Sequence, residues 1–224
     1  MSTILPPLAG DAALAFIRAN TVLAQPPACP EITLYLATEI TPLWEATEAF
    51  LAEKNLPPPF WAFAWVGGQA LSRYVLDNPE LVAGKRVLDF AAGCGMTAIA
   101  AALKGAARSE AAEIDAVAAA SITVNAEVNG VQVEVLLDDV LERADCPWDV
   151  VMAGDVCYER PMAEKVFAWL RRCAAAGAVV LLADPGRNYL PATGLMKVAA
   201  YTIPTSLELE NRTSRDAVVY RIVG

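Results

Sequence analysis

The chain has 224 residues, 56% of them hydrophobic, with 17 Lys and Arg against 26 Asp and Glu and no histidine. That length and apolar content suit one globular domain with a sizeable core and exclude a disordered chain. A net charge of −9 repels a phosphate backbone, so nucleic acid is not an expected partner, and the missing histidine removes imidazole triads, imidazole bases and imidazole metal sites together.

The five cysteines, Cys29, Cys94, Cys146, Cys157 and Cys173, show no C-x-x-C spacing and read as thiols of a reducing compartment. MSTILPPLAG lacks the basic-then-apolar pattern of a leader, and no uncharged apolar run reaches about 18 residues, so neither a signal peptide nor a membrane span is expected. The expected location is the cytoplasm.

In chain order, DAALAFIRANTVLA (11–24) reads as a helix with Asp11 placed to cap it after Gly10. EITLYLAT (31–38) alternates as a strand, and Thr41 and Pro42 open a second helix, LWEATEAFLAEK. Residues 1–60 are taken as an N-terminal extension on a core of 61–224, the whole forming one domain. PFWAFAWVGGQALSRY (59–74) follows; Trp65, Gly67 and Gly68 are placed to close over a ligand, whereas Trp61 and Phe63 read as core aromatics. Then strands alternate with helices: KRVLDF, MTAIAAALKG, AARSEAAEI, AVAAASITVNAEVNG with Asp115 as its cap, VQVEVLL, WDVVMAG, RPMAEKVFAWLRRCAAAG and AVVLLAD. TSLELE and AVVYRIV close the chain as two strands joined by NRTSRD. Apolar strands alternating with helices predict an α/β, Rossmann-like fold. Its seven-stranded, mostly parallel sheet has helices on both faces and a C-terminal antiparallel hairpin.

Ligands of such sheets sit beyond the carboxyl ends of the strands. The first of these turns, DFAAGCG, spaces Asp89, Ala91, Gly93 and Gly95, and Ala98 stands where a dinucleotide fingerprint would place its third glycine. An acid at the end of the strand opposes a pyrophosphate and attracts an ammonium. S-adenosyl-L-methionine carries an ammonium, a carboxylate and a sulfonium but no phosphate, so it is the expected cofactor, with no metal. Asp89 would take the ammonium, and the amides around Ala91 and Gly93 the carboxylate. Glu113, 24 residues after Asp89, would take the ribose hydroxyls, and Asp139, preferred to Asp138 on strand parity, the adenine amino group. GDVCYE then supplies Asp155 and Tyr158 beside the expected methyl group, to orient an acceptor amine and face it with a ring, with Asp155 also counted among the cofactor-binding residues. Read alone, Asp155 serves equally as a cap for the next helix, and Tyr158 as a packing residue. DPGR (184–187) is either a tight turn or part of the substrate mouth.

Taken together, PFWAFAWVGGQALSRYVLDNPELVAGKRVLDFAAGCGMTAIAA, EIDAVAAASITVNAEVNG, GDVCYE and ADPGR resemble the seven-strand S-adenosylmethionine-dependent methyltransferases. More narrowly, they resemble the lysine methyltransferases of the electron transfer flavoprotein β subunit. The likeness runs from about residue 57 to 190. It maps the family's D/E-x-x-Y/F element onto Asp155 and Tyr158 and its glycine turn onto Asp89 to Gly95, departing at Ala91, where many relatives have glycine. It implies a protein lysine as acceptor, on the electron transfer flavoprotein β subunit or, as the alternative, on a ribosomal protein; a small-molecule methyltransferase ranks below both. An acidic chain suits a lysine-rich partner.

Overall fold

Short apolar runs such as VVMAG and VVLLAD make the central strands of the sheet. The computed structural model describes residues 10–38, 41, 43, 58–205 and 210–223. α1 (Asp11–Asn20), β1 (Val22–Ala24) and β2 (Leu34–Leu36) come first, followed by α2 (Val66–Asp77). β3 (Arg86–Phe90), α3 (Met96–Leu103), β4 (Arg108–Glu113), α4 (Ala116–Val128), β5 (Glu134–Leu137), β6 (Val150–Gly154), α5 (Arg160–Ala175) and β7 (Val179–Asp184) then alternate. β8 (Leu195–Pro204) and β9 (Ser214–Ile222) close the chain. The sheet order is β5-β4-β3-β6-β7-β9-β8, parallel from β5 to β7 and antiparallel through β9 and β8. After β3 the chain builds outward through β4 and β5, then returns to place β6 on the other side of β3. The crevice beyond β3 and β6 is therefore the topological switch point, where such sheets hold ligands.

Strand parity divides the core. Val87 of β3 packs with Leu71 and Val75 of α2 and Ile99 of α3 on one face, while Leu88 packs with Val166, Trp169 and Leu170 of α5 on the other. The cap expected at Asp115 is present, its carboxylate accepting from Val117 N–H at 2.8 Å.

Several expectations are corrected. α1 stops at Asn20 instead of running to 24, because Thr21 turns extended and Val22–Ala24 pairs antiparallel with Leu34–Leu36. Thr21 Oγ1 donates to Ile17 O at 2.6 Å and ends the helix. Gly10 is the N-cap and Asp11 lies in the first turn, where its charge still suits the helix dipole. α2 runs through a segment that its paired glycines disguise as a loop. Among the described residues the last two strands are Leu195–Pro204 and Ser214–Ile222, the latter beginning inside the expected turn; of the strand expected at TSLELE, residues 206–209 lie outside the described residues. Of the second helix expected after Thr41 and Pro42, all but Leu43 lies outside the described residues, whereas Thr41 Oγ1 donates to Thr38 O at 2.7 Å.

The N-terminal extension is fastened by amides. Asn125 Oδ1 accepts from Tyr35 N–H at 2.8 Å, and Asn129 both accepts from Thr33 N–H and donates to Thr33 O. Asn125 Nδ2 also donates to Cys94 O at 2.9 Å, so one buried side chain joins β2, α4 and the glycine turn. Asn125→Ala leaves these groups without partners. At roughly 1–3 kcal/mol for each buried group so orphaned, urea denaturation should show a loss of about 2–4 kcal/mol; a loss below about 1 kcal/mol would mean water replaces the amide.

Candidate active site

The N-terminus of α2 crosses the end of β6 with almost no space between the backbones. A Cβ on Gly67 would lie 2.6 Å from Ala183 O and from Asp155 Oδ2, and one on Gly154 would lie 3.0 Å from Gly68 N. Glycine is required by this approach, not by flexibility. Trp65, the N-cap of α2, makes no side-chain cap bond. Asp155 supplies one from across the crossing, its Oδ2 accepting from Gly68 N–H at 3.0 Å. Asp155 holds a left-handed backbone, φ 55°, which turns the chain away after β6.

The other oxygen of Asp155 faces Arg187 Nη2 at 3.4 Å, and Arg187 also donates to Glu210 Oε1 at 2.7 Å. Arg215 donates to the second oxygen of Glu210, whose side chain is only 2% exposed. Burial pushes the Asp155 carboxyl up to about 6, opposed chiefly by the Arg187 charge and the Gly68 N–H, while Asp184 and Glu210 add to the rise. Asp155 is therefore not the cap of α5, which begins after Glu159. DPGR proves to be a tight turn, Asp184 Oδ1 accepting from Gly186 and Arg187 N–H at 2.7 and 2.6 Å. The same turn aims the Arg187 side chain at Asp155.

At the glycine turn, Ala91, Gly93 and Gly95 all have positive φ. Asp89 is buried and turned inward, its Oδ2 accepting from Ala98 N–H at 3.0 Å, so it ties β3 to the first turn of α3. Burial drives its carboxyl well above the usual range, against the Ala98 N–H. Glu113 reaches the turn, accepting from Gly93 N–H at 2.7 Å and from Ile114 N–H at 3.1 Å. Burial raises its pKa despite those donors. Asp138 N–H donates to Glu113 O at 3.0 Å, which sets the end of β5 beside Glu113. Asp139 is exposed and accepts from Leu141 N–H, capping the short turn at 140–142; Asp138 pairs with Arg143.

An aromatic group borders this crevice. Trp65 Nε1 donates to Phe60 O at 2.8 Å, and its ring meets Phe60 and Phe63 edge-on. Phe60 in turn tilts against Tyr158, centroids 5.8 Å apart. Trp61 is a core residue as expected, packed on Phe16. Sequence reasoning missed Phe60, hidden behind three prolines, and Ile114, 78% exposed directly after Glu113. The signal available for Ile114 was an apolar residue immediately after a strand-end acid.

The residues present fit S-adenosylmethionine. Asp89 and Glu113 place at the turn carboxyls whose ionised form a bound cation would favour, and Glu113 already holds the Gly93 amide that a pyrophosphate would need. A cation with hydroxyls meets acceptors there, with the apolar Ile114 alongside.

Two stability measurements check this account. An L-residue in left-handed backbone is strained by roughly 1–2 kcal/mol, more than the roughly 0.4–1 kcal/mol of unfolded-state entropy that glycine adds. Ala91→Gly should therefore hold or raise stability, whereas Ala100→Gly inside α3 should lower it by at least about 0.5–1 kcal/mol; a comparable loss in both would show no strain at Ala91. Asp89→Asn keeps an acceptor for Ala98 N–H and removes a buried charge. Because the folded pKa is raised, the cost of that charge is absent well below about pH 4 and grows as pH rises toward the folded value. In denaturation series the variant should gain on the parent between pH 4 and 7.5; a gain by the parent would mean the charge has a stabilising partner.

The family model "Ribosomal protein L11 methyltransferase (PrmA)" matches residues 69–157. The human electron transfer flavoprotein beta subunit lysine methyltransferase is 38% identical over 204 residues, covering 88% of this chain and 77% of its own. Its Caenorhabditis elegans homolog is 36% identical over 203 residues, covering 84% and 82%. Among solved structures, the magnesium protoporphyrin IX methyltransferase of Synechocystis with bound SAM aligns with TM-score 0.51 and 17% identity over 68% of this chain and 76% of its own, a likeness of fold alone. Identity at this level over most of the chain decides the family: the chain belongs to the electron transfer flavoprotein β-subunit lysine methyltransferases.

Proposed function

We propose that this chain methylates lysine side chains of the electron transfer flavoprotein β subunit, with S-adenosylmethionine as donor. The observation that carries the substrate is the extent of the match: relatives bearing that name align over 84% or more of the chain. The ribosomal-protein family model ends at residue 157, short of Tyr158, Arg187 and Glu210. The ribosomal alternative thus rests on the shared cofactor half and is not carried further. The free state of all five cysteines supports a reducing, cytoplasmic setting.

When bound, S-adenosylmethionine supplies a methyl carbon made electrophilic by its sulfonium. Glu113 retains lone pairs for ribose hydroxyls after accepting two amides, and Ile114 offers the adenine an apolar ledge. Asp139 stands at the end of the strand next to Glu113 for the adenine amino group. Asp89, Ala91 and Gly93 shape the turn that receives the methionine part, and Trp65 and Gly67 close it from the side of α2. Asp155 accepts from the incoming amine with the lone pairs left after Gly68 and Arg187, and Tyr158 presents its ring. Positioning carries most of such a reaction.

Incubation with methyl-labelled S-adenosylmethionine and recombinant electron transfer flavoprotein β subunit, followed by peptide mass spectrometry, should place methyl groups on lysine. Label on a ribosomal-protein fraction and none on the flavoprotein would overturn the substrate. The pH profile tests Asp155. The free amine of a lysine near pKa 10.4 gives log kcat/KM a slope of about one against pH, and ionisation of Asp155 adds a second unit below its own pKa. The slope should fall from about two to about one near pH 6. Arg187 holds the Asp155 pKa down, so Arg187→Gln should move that break to higher pH with S-adenosylhomocysteine binding retained. A break that stays put would exclude Asp155 as the titrating group.

A further inference from the structure

We propose that Phe60 is the second wall of the acceptor slot: its ring and that of Tyr158 flank the aliphatic stem of the substrate lysine and set recognition of the acceptor, not of the cofactor. The inference rests on the lysine methyltransferase reading above.

The backbone of Phe60 is fully employed while its ring is not. Its N–H donates to Pro58 O at 2.8 Å and its carbonyl accepts from Trp65 Nε1. That carbonyl would stand 3.7 Å from a Cβ on Gly93, which sets Phe60 against the cofactor turn through its main chain. Phe60 is 48% exposed, and Tyr158, which its ring meets at 5.8 Å and 52°, is 45% exposed. Two large rings with nearly half their surface in water, at the rim of a strand-end crevice, form an open V and not a stacked pair. Trp65 supports the Phe60 ring from behind, with Phe63 behind Trp65, so the wall is held before a substrate arrives.

The lining suits lysine for three reasons. Four methylenes must pass from the surface to the sulfonium, and aromatic faces cover them without needing hydrogen bonds. An apolar wall lowers the pKa of an entering ammonium and so favours the neutral nucleophile. Ring faces also attract a methylammonium, so an amine already methylated is still held. The carboxylates of Asp155 and Glu113 sit deeper, where a positive end is drawn. Glu113 lies close enough to Tyr158 for its charge to add to the rise in the phenol pKa that burial causes.

The test uses the full chain, S-adenosylmethionine at saturation and recombinant electron transfer flavoprotein β subunit as acceptor. Phe60→Ala should raise KM for the protein substrate about tenfold, the effect of losing one apolar side-chain contact. The S-adenosylhomocysteine Kd by calorimetry should stay within about twofold, with an unchanged circular dichroism spectrum. Phe60→Tyr, which keeps the ring, should restore most of the parent KM. A folded Phe60→Ala with parental KM overturns the proposal, and so does a loss of S-adenosylhomocysteine binding in step with kcat/KM, which would make Phe60 a cofactor wall. If Phe60→Ala fails to fold, Phe60→Leu replaces it and is read by the same two measurements. The parent runs alongside: no transfer by the parent refutes the activity and with it the slot, whereas transfer by the parent and undiminished transfer by Phe60→Ala refute the slot alone.

Discussion

A single largely enclosed carboxylate, that of Asp155, ties the crevice beyond β6 together. A charge so placed is tolerated only if every direction offers a donor. Gly68 N–H supplies one and Arg187 another, and Arg187 is held in turn by Glu210, which Arg215 holds on its far side. The helix donor forces two backbones into contact, which is why Gly67 and Gly154 lack side chains. Four segments distant in sequence, at 67–68, 154–155, 187 and 210–215, are thereby assembled by one electrostatic requirement. Asp155 cannot be altered without loosening the start of α2, the end of β6 and the C-terminal hairpin together.

The glycine turn follows the same logic with less compensation. Asp89 and Glu113 are both raised in pKa by burial and accept mainly backbone amides. A site that concentrates carboxyl groups with no cation at the turn among the described residues is poised for a cationic ligand, since a bound positive charge relieves the cost of desolvation. The same arrangement weakens the protein without ligand, a familiar exchange of stability for function.

Much of this was legible in the sequence. Apolar runs such as VLDF and VVMAG are long enough to declare buried strands, and Asp115 announces its helix by position alone. D-x-x-Y correctly marked the end of β6. Other features were hidden for identifiable reasons. Paired glycines lower the helix propensity of α2, and nothing local shows that Asp155 caps it from 87 residues away. β8 pairs only with β9 at the edge of the sheet, and its buried and exposed positions do not alternate cleanly. Asp89 lies at the end of its strand, as read, but which way its carboxylate turns is decided by the amide of Ala98, nine residues on. Phe60 has no periodic signal at all.

The division between shared and particular chemistry follows the chain. The segment 69–157, common to the ribosomal-protein methyltransferase model, contains the glycine turn, Glu113 and Asp155, the groups to which the proposed function gives the donor and the point of transfer. The proposed acceptor walls flank it: Phe60 precedes that segment and Tyr158 follows it, while Arg187 and Glu210, also beyond it, hold Asp155 from behind. The two flanks are not independent, because Phe60 leans on Tyr158 and Gly68 is capped by the carboxylate that Arg187 holds. Changing the acceptor of such an enzyme therefore demands coordinated change before and after a core that can stay as it is. On the proposed function, a shared core with altered flanks is the physical route by which one fold takes up a different acceptor.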